Sequence, residues 1–144
     1  MRIFESLAPR VPYALAVLRI MTALLFLSHG LVKLFGFPEG AKPGEQPLLT
    51  LLGAAGAIEL VTGLLILLGW FTRPAAFLAS GEMAVAYWMM HGNQSFYPVL
   101  NAGEAAILFC FIFLLFVATG PGTWSVDEEL LKRHDREEGE QGRI

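Results

Sequence analysis

Charge and cysteine are what this chain has little of. Charged residues make up 16% of its 144 positions, against about 25% in an average soluble domain. Hydrophobic residues make up 55%. That balance excludes a disordered chain, which lacks the apolar residues to build a core, and it argues against an ordinary soluble domain. The net charge of -3 removes the basic footprint that nucleic-acid binding requires first. There is a single cysteine, Cys110, so no internal disulfide, no CxxC pair and no thiolate metal cluster can form. Any electron passing through the protein would therefore come from a partner protein or a soluble donor.

What is present is apolar sequence in span-length pieces. A membrane-crossing helix needs about 20 mostly apolar residues. Four segments qualify, at about 13–35, 48–71, 74–91 and 98–119, the last followed by a tail without Asp, Glu, Lys or Arg up to Val126. A soluble four-helix bundle would need a polar face on each helix, and these segments carry only one to three ionisable groups apiece. The expected fold is all-α, an integral membrane four-helix bundle over 13–119. Residues 1–12 form a cytoplasmic stub and 120–144 a cytoplasmic tail. The connections GFPEGAKPGEQP (36–47), WFTRP (70–74) and GNQSFYP (92–98) are short, which makes neighbouring helices antiparallel. Ala75, Ala76, Ala79, Ser80, Ala84 and Ala86 suit close packing of the third helix inside the bundle. The phenylalanines and leucines of the fourth are expected to face lipid, and Cys110 to be a buried small residue.

After Gly120-Pro121-Gly122, Ser125 and Glu128 read as a capping box. It opens a short surface helix from about Val126 to His134, and the charged HDREEGEQGR beyond is expected to be disordered. The N-terminal apolar run is span-length and lacks a small-residue cleavage site, so it is expected to stay as the first span. Arg2, Arg10, Arg73, Lys132, Arg133, Arg136 and Arg143 fall on the side of the termini, and only Lys42 on the other. The positive-inside rule then places both termini in the cytoplasm of a bacterial inner membrane.

Six ionisable groups fall within the apolar segments: Arg19, His29, Lys33, Glu59, Glu82 and Glu104. Such groups are costly in lipid, so they face the bundle interior with a partner or a function. At 100° per residue, Arg19, His29 and Lys33 share an arc of roughly 80° on the first helix, and Gly56, Glu59 and Gly63 one of roughly 60° on the second. Depth suggests an outer cluster of His29, Lys33 and Glu104 with Asn101, and an inner cluster of Arg19 with Glu82, Glu59 or both. Arg19 with a glutamate is most simply a fold-specifying salt bridge. Lys33 can snorkel to the interface. His29 is the best proton-relay or head-group candidate, because imidazole titrates near neutral pH. Glu59 and Glu104 are candidates for proton transfer or head-group binding, with Arg19, Lys33, Glu82 and Asn101 as binding residues. His91 lies about 180° round the third helix from Glu82, which fits capping or solvent exposure. No metal-ligand spacing is present.

Four stretches carry a resemblance: RIMTALLFLSHGLVKLF (19–35), GAIELVTGLLILLGWFTRPAA (56–76), NAGEAAILF (101–109) and GPGTWSVD (120–127). With their spacing they cover most of 18–127, and the chain resembles the DoxX family of small four-span bacterial membrane proteins. That family is similar to DoxD, a membrane subunit of an archaeal enzyme that couples thiosulfate oxidation to quinone. The resemblance implies that Arg19, His29, Lys33, Glu59 and Glu104 lie in the family's motifs and line the bundle interior.

The leading expectation is a membrane subunit of a redox system, an oxidoreductase component rather than a complete enzyme. It would hold a quinone or quinol head near His29, Lys33, Glu59 and Glu104, take electrons from a redox partner and carry no covalently bound cofactor. A transporter or carrier for a small solute or proton uses the same intramembrane residues. A non-catalytic adaptor, whose charges only fix the bundle while its tail docks a soluble protein, is the third reading. Beyond the lipid bilayer, the partner protein and any homo-oligomer stay open.

Overall fold

A computed structural model describes residues 7–141. Among them there are helices and no strand. A 3-10 turn at Ala8–Arg10 leads into α1 (Val11–Phe35). Then come α2 (Leu51–Leu68), α3 (Thr72–Ala86, continued by a π-turn at Tyr87–His91), the short α4 (Pro98–Asn101), α5 (Glu104–Thr119) and α6 (Val126–Gln141). Local chemistry sets these ends. Pro12 occupies the first turn of α1, where its missing N–H costs nothing. The Thr50 hydroxyl accepts from Gly53 N at 3.1 Å and caps α2.

The four long helices pack in a ring in which α1 lies on α2, α2 on α3 and α3 on α5. Of the small residues expected to pack in α3, Ala75, Ala76, Ala79 and Ser80 are buried, and Ala84 and Ala86 are half-buried. Their small volume leaves room for large rings from opposite. Phe26 of α1 meets Phe113 of α5 edge-on at 4.7 Å between centroids and Phe109 at 5.5 Å. Phe113 and Phe116 are fully buried, so the expectation that the α5 aromatics face lipid is corrected for these two. Leu108, Phe111, Leu114 and Leu115 do point outward.

α1 and α2 approach through a missing side chain. A Cβ on Gly30 would lie 2.9 Å from Leu60 N and 3.0 Å from the Gly56 carbonyl. Close backbone contact of this kind is how helices associate where lipid gives no hydrophobic drive between them.

Two further expectations change. The segment 98–119 is not one helix. It breaks at Ala102, which is left-handed at φ 54, because the Asn101 side chain accepts from Gly103 N at 2.8 Å and takes the place of the next helical bond. The charged tail is not disordered over its described part, since α6 runs on to Gln141. Ser125 Oγ accepts from Glu128 N at 3.2 Å, acidic residues fill the first turn where the helix dipole favours them, and Lys132 pairs with Glu128 and His134 with Glu138 one turn on.

Two helices are long and apolar enough to cross a membrane: Ala8–Phe35 and Leu51–Leu68. The apolar Glu104–Thr119 has 16 residues, about 24 Å of helix against a hydrocarbon core of about 30 Å. Large apolar side chains are exposed on all four long helices, among them Met21, Leu25, Val61, Leu64, Phe77, Leu78 and Phe111.

The close approach of α1 and α2 can be tested against a neutral control. Gly30→Ala should destabilise the detergent-solubilised protein by about 1–3 kcal/mol, as overpacking does. Gly81→Ala, where a Cβ meets nothing within 4 Å, should be neutral or stabilising, because alanine favours a helix by about 1 kcal/mol over glycine. Thermal unfolding of the two variants against wild type measures both.

Candidate functional site

The α1–α2 contact carries an ion pair inward. Gly56 lies directly under Lys33, where an added Cβ would fall 2.7 Å from the lysine's own Cβ. The lysine chain runs across that glycine to the next turn of α2, and Lys33 Nζ donates to Glu59 Oε1. Only 14% of the lysine side chain and 2% of the glutamate side chain are exposed. Glu59 sits at the middle of α2, so the pair holds two charges at the bundle's half-depth. Taking both from water costs several kcal/mol per ion, which their attraction offsets only with good geometry.

The pair does not use up the polar atoms around it. Glu59 Oε2 is buried without a hydrogen-bond partner among the described residues, and so are both carboxylate oxygens of Glu82 on α3. Glu82 is on α3, which packs against α2, and His29 is one turn before Lys33 on α1. Lys33 and Glu59 thus meet between α1 and α2, with Glu82 on the neighbouring α3.

Neither expected cluster forms as drawn. In the outer one, Lys33 turns inward to Glu59 and away from Glu104, because Gly56 leaves it a path along α2. Glu104 is exposed as the first residue of α5. His29 is also exposed, its ring edge-on to Phe109 at 5.9 Å. Asn101 is buried but engaged with its own loop. Besides Gly103 N it meets Ser95 O at 2.8 Å and the Tyr87 hydroxyl at 3.4 Å, while its carbonyl meets His91 Nδ1 at 2.8 Å.

In the inner cluster, Arg19 has no glutamate partner among the described residues. It is fully buried and spends its guanidinium on main-chain carbonyls. Nη1 donates to Ile66 O at 3.0 Å and Leu67 O at 3.1 Å, and Nη2 to Trp124 O at 2.9 Å and Thr123 O at 3.4 Å. The last carbonyls of a helix have no intrahelical donor, and a planar five-donor fork suits several at once. Gly69 makes room for it: a Cβ there would lie 2.3 Å from Arg19 Nη1 and from Ser125 Cβ, at φ +67.

Sequence reasoning missed the second half of this lock. Asp127 accepts from Phe71 N and Thr72 N, both at 2.9 Å, capping α3 from 55 positions away. Asp127 N donates to Gly69 O at 2.9 Å. Arg73 donates to the carbonyls of Val117 and Ala118. No local signal announces these partners, because Asp127 also fits the first turn of its own helix. The N-terminal end of α1, the α2–α3 turn and residues 120–127 therefore meet at one end of the bundle. A cleft of about 670 Å³ opens at that end beside Pro12, Arg73, Thr123, Asp127 and His134, remote from Lys33 and Glu59.

The DoxX family model matches residues 14–92, a stretch that holds Arg19, His29, Lys33, Glu59 and Glu82. An uncharacterized protein of Haemophilus influenzae is 42% identical over 130 residues, covering 85% of this chain and 94% of that one. An uncharacterized membrane protein of Mycobacterium tuberculosis is 31% identical over 140 residues, covering 85% of this chain and 84% of that one. The inner membrane protein YphA of Escherichia coli is 31% identical over 138 residues, covering 88% of this chain and 96% of that one. No solved structure matches the chain.

Removing the guanidinium should release the segment it holds. Arg19→Met leaves the carbonyls of Leu67, Thr123 and Trp124 without a donor, each worth about 1–3 kcal/mol when buried unsatisfied, while Ile66 O keeps Gly69 N at 3.1 Å. Limited proteolysis should then cut after Gly120 faster than in wild type, and Arg19→Lys should restore little, since one ammonium cannot span both pairs of carbonyls. Equal cutting of all three proteins would contradict this role.

Proposed function

The chain belongs to the DoxX family of membrane proteins, and from that premise we propose that it is a multi-pass subunit of an inner-membrane redox system that binds a quinone or quinol head at Lys33, Glu59 and Glu82. The observation that carries this reading is the buried ion pair with carboxylate oxygens left over. A quinol hydroxyl needs an acceptor, and Glu59 Oε2 and the Glu82 oxygens are acceptors in want of a donor. A quinone carbonyl needs a donor, which Lys33 supplies from the partly exposed end of the pair. When bound, the quinone would supply two-electron chemistry with paired proton uptake. Glu59 and Glu82 would hold the protons, Lys33 would orient the head, and both electrons would come from a partner protein. His29 stands one turn from Lys33 on the same helix, at the edge where a head group would enter.

A four-span topology supports this placement. α3 with its π-turn reaches from Thr72 to His91, long enough to cross. α4 adds a turn's length outside α5, and exposed apolar side chains cover all four long helices. With Arg10, Arg73, Lys132 and Arg133 near the end where α1 and α6 begin, that end is cytoplasmic, and the Lys33 end of α1 faces outward.

Native mass spectrometry of the gently extracted protein tests the ligand. Wild type should carry a quinone, and Glu59→Gln should lose at least nine-tenths of it while keeping its helical circular dichroism. A wild-type protein free of quinone, or one whose quinone survives Glu59→Gln, would contradict the proposal.

A further inference from the structure

The cleft beside Arg73 has a volume of about 670 Å³, inside the range of roughly 300–1,000 Å³ usual for small-molecule sites. Its charged lining residues are Arg73, Asp127, Glu128 and His134. Three of them are engaged. Asp127 accepts from Phe71 N and Thr72 N, Glu128 pairs with Lys132 at 3.0 Å and His134 with Glu138 at 3.1 Å. Arg73 is only half engaged. Its Nη1 donates to Val117 O and, at 2.8 Å, to Ala118 O, while Nε and Nη2 have no acceptor among the described residues. Those two nitrogens form an edge that takes two oxygens of one anion side by side. A missing side chain keeps the edge open: a Cβ on Gly120, at φ +82, would lie 3.3 Å from Nη2 and 3.7 Å from Nε. A second unspent donor stands next in the chain. Thr72 lines the cleft, is fully buried, and its Oγ1 has no partner among the described residues.

The remaining walls are apolar. Phe71, Leu130 and Leu131 line the cleft and are all exposed. One turn along α3 from Arg73, and therefore on the same face, Phe77 is 68% exposed. Arg73 sits at the start of α3 and touches the end of α5, where the apolar helices stop. An anion held there has its polar side at the bundle's end and an apolar surface leading away along the helices. Basic pockets between membrane helices hold lipid head groups in this way.

We infer that the cleft binds the phosphate head of a phospholipid from the adjoining leaflet, with Arg73 Nε and Nη2 on the phosphate oxygens and the lipid's chains over Phe77. The site shares no residue with the proposed quinone site, so either stands without the other.

Native mass spectrometry of the full chain in detergent, titrated with phosphatidylglycerol, diacylglycerol or glycerol phosphate, tests the two halves of the ligand separately. Phosphatidylglycerol should bind wild type. Diacylglycerol, which lacks the phosphate, and glycerol phosphate, which lacks the chains, should each bind about tenfold more weakly or less. Arg73→Lys keeps the charge and a donor for the α5 carbonyls but loses the two-pronged edge. It should weaken phosphatidylglycerol about tenfold, the worth of one charge-assisted hydrogen bond. Arg133→Gln, which removes an exposed charge from α6 outside the cleft, should leave binding unchanged. The three probes on wild type decide alone should Arg73→Lys lose its helical circular dichroism. Diacylglycerol binding as tightly as phosphatidylglycerol overturns the phosphate site, and glycerol phosphate doing so overturns the lipid as its source. Equal binding by wild type and a folded Arg73→Lys, or equal weakening by Arg133→Gln, overturns the role of Arg73.

Discussion

The rest of the bundle is arranged around a lysine and a glutamate held together out of water. Lys33 and Glu59 sit on neighbouring helices, and their contact needs the backbones of α1 and α2 close enough for one side chain to cross between them. Gly30 and Gly56 allow that distance, and any side chain at Gly30 would meet the main chain of α2. Once the pair is buried, sliding or rotating either helix would strand a charge in an apolar surrounding, which is far more costly than losing apolar contact. The ion pair fixes the register of α1 and α2 on its side of the bundle, and Arg19 of α1, donating to the carbonyls of Ile66 and Leu67, fixes it at the other end.

The other end of the bundle is fixed by different chemistry. Arg19 ties the end of α2 to residues 123–124 through main-chain carbonyls, and Asp127 caps α3 from the segment beyond. One positive and one negative side chain thereby satisfy helix termini that would otherwise be left open. These two groups sew the segment after the last long helix onto the first three elements. Arg19 Nε and Thr72 Oγ1 stay without a partner among the described residues even so, as Glu59 Oε2 and both Glu82 oxygens do elsewhere in the bundle.

Much of this was legible in the sequence and some was not, for reasons that particular residues make plain. The helices follow from apolar length and from Pro and Gly at their ends. The alanine face of α3 and the small residues beside Glu59 were readable as packing surfaces. The partners of the charges were not. A helical wheel places Arg19 and Lys33 on one arc but cannot see that a carbonyl serves Arg19 as well as a carboxylate does. Nor does it show that Gly56 gives Lys33 a path inward to Glu59. His29 lies at the margin of that arc, and a modest rotation of α1 is enough to leave it outside. Phe113 and Phe116 differ from their lipid-facing neighbours only by angle, in a helix apolar all round. The break at Ala102 depends on an Asn101 side chain replacing a backbone bond, which no periodicity encodes. The length of α6 rests on charge pairs one turn apart within a composition that otherwise reads as solvated tail.

The most direct measurement compares the unfolding free energy of wild type with Lys33→Met and with Lys33→Met combined with Glu59→Gln, in one detergent at neutral pH. If the pair is buried as described, Lys33→Met strands carboxylates and costs about 3–5 kcal/mol. Neutralising Glu59 as well should then recover most of that loss, because the carboxylate that Lys33 had paired is no longer charged. A double variant as unstable as the sum of its two single substitutions, or a Lys33→Met variant as stable as wild type, would contradict the claim that this ion pair sets the register of the bundle.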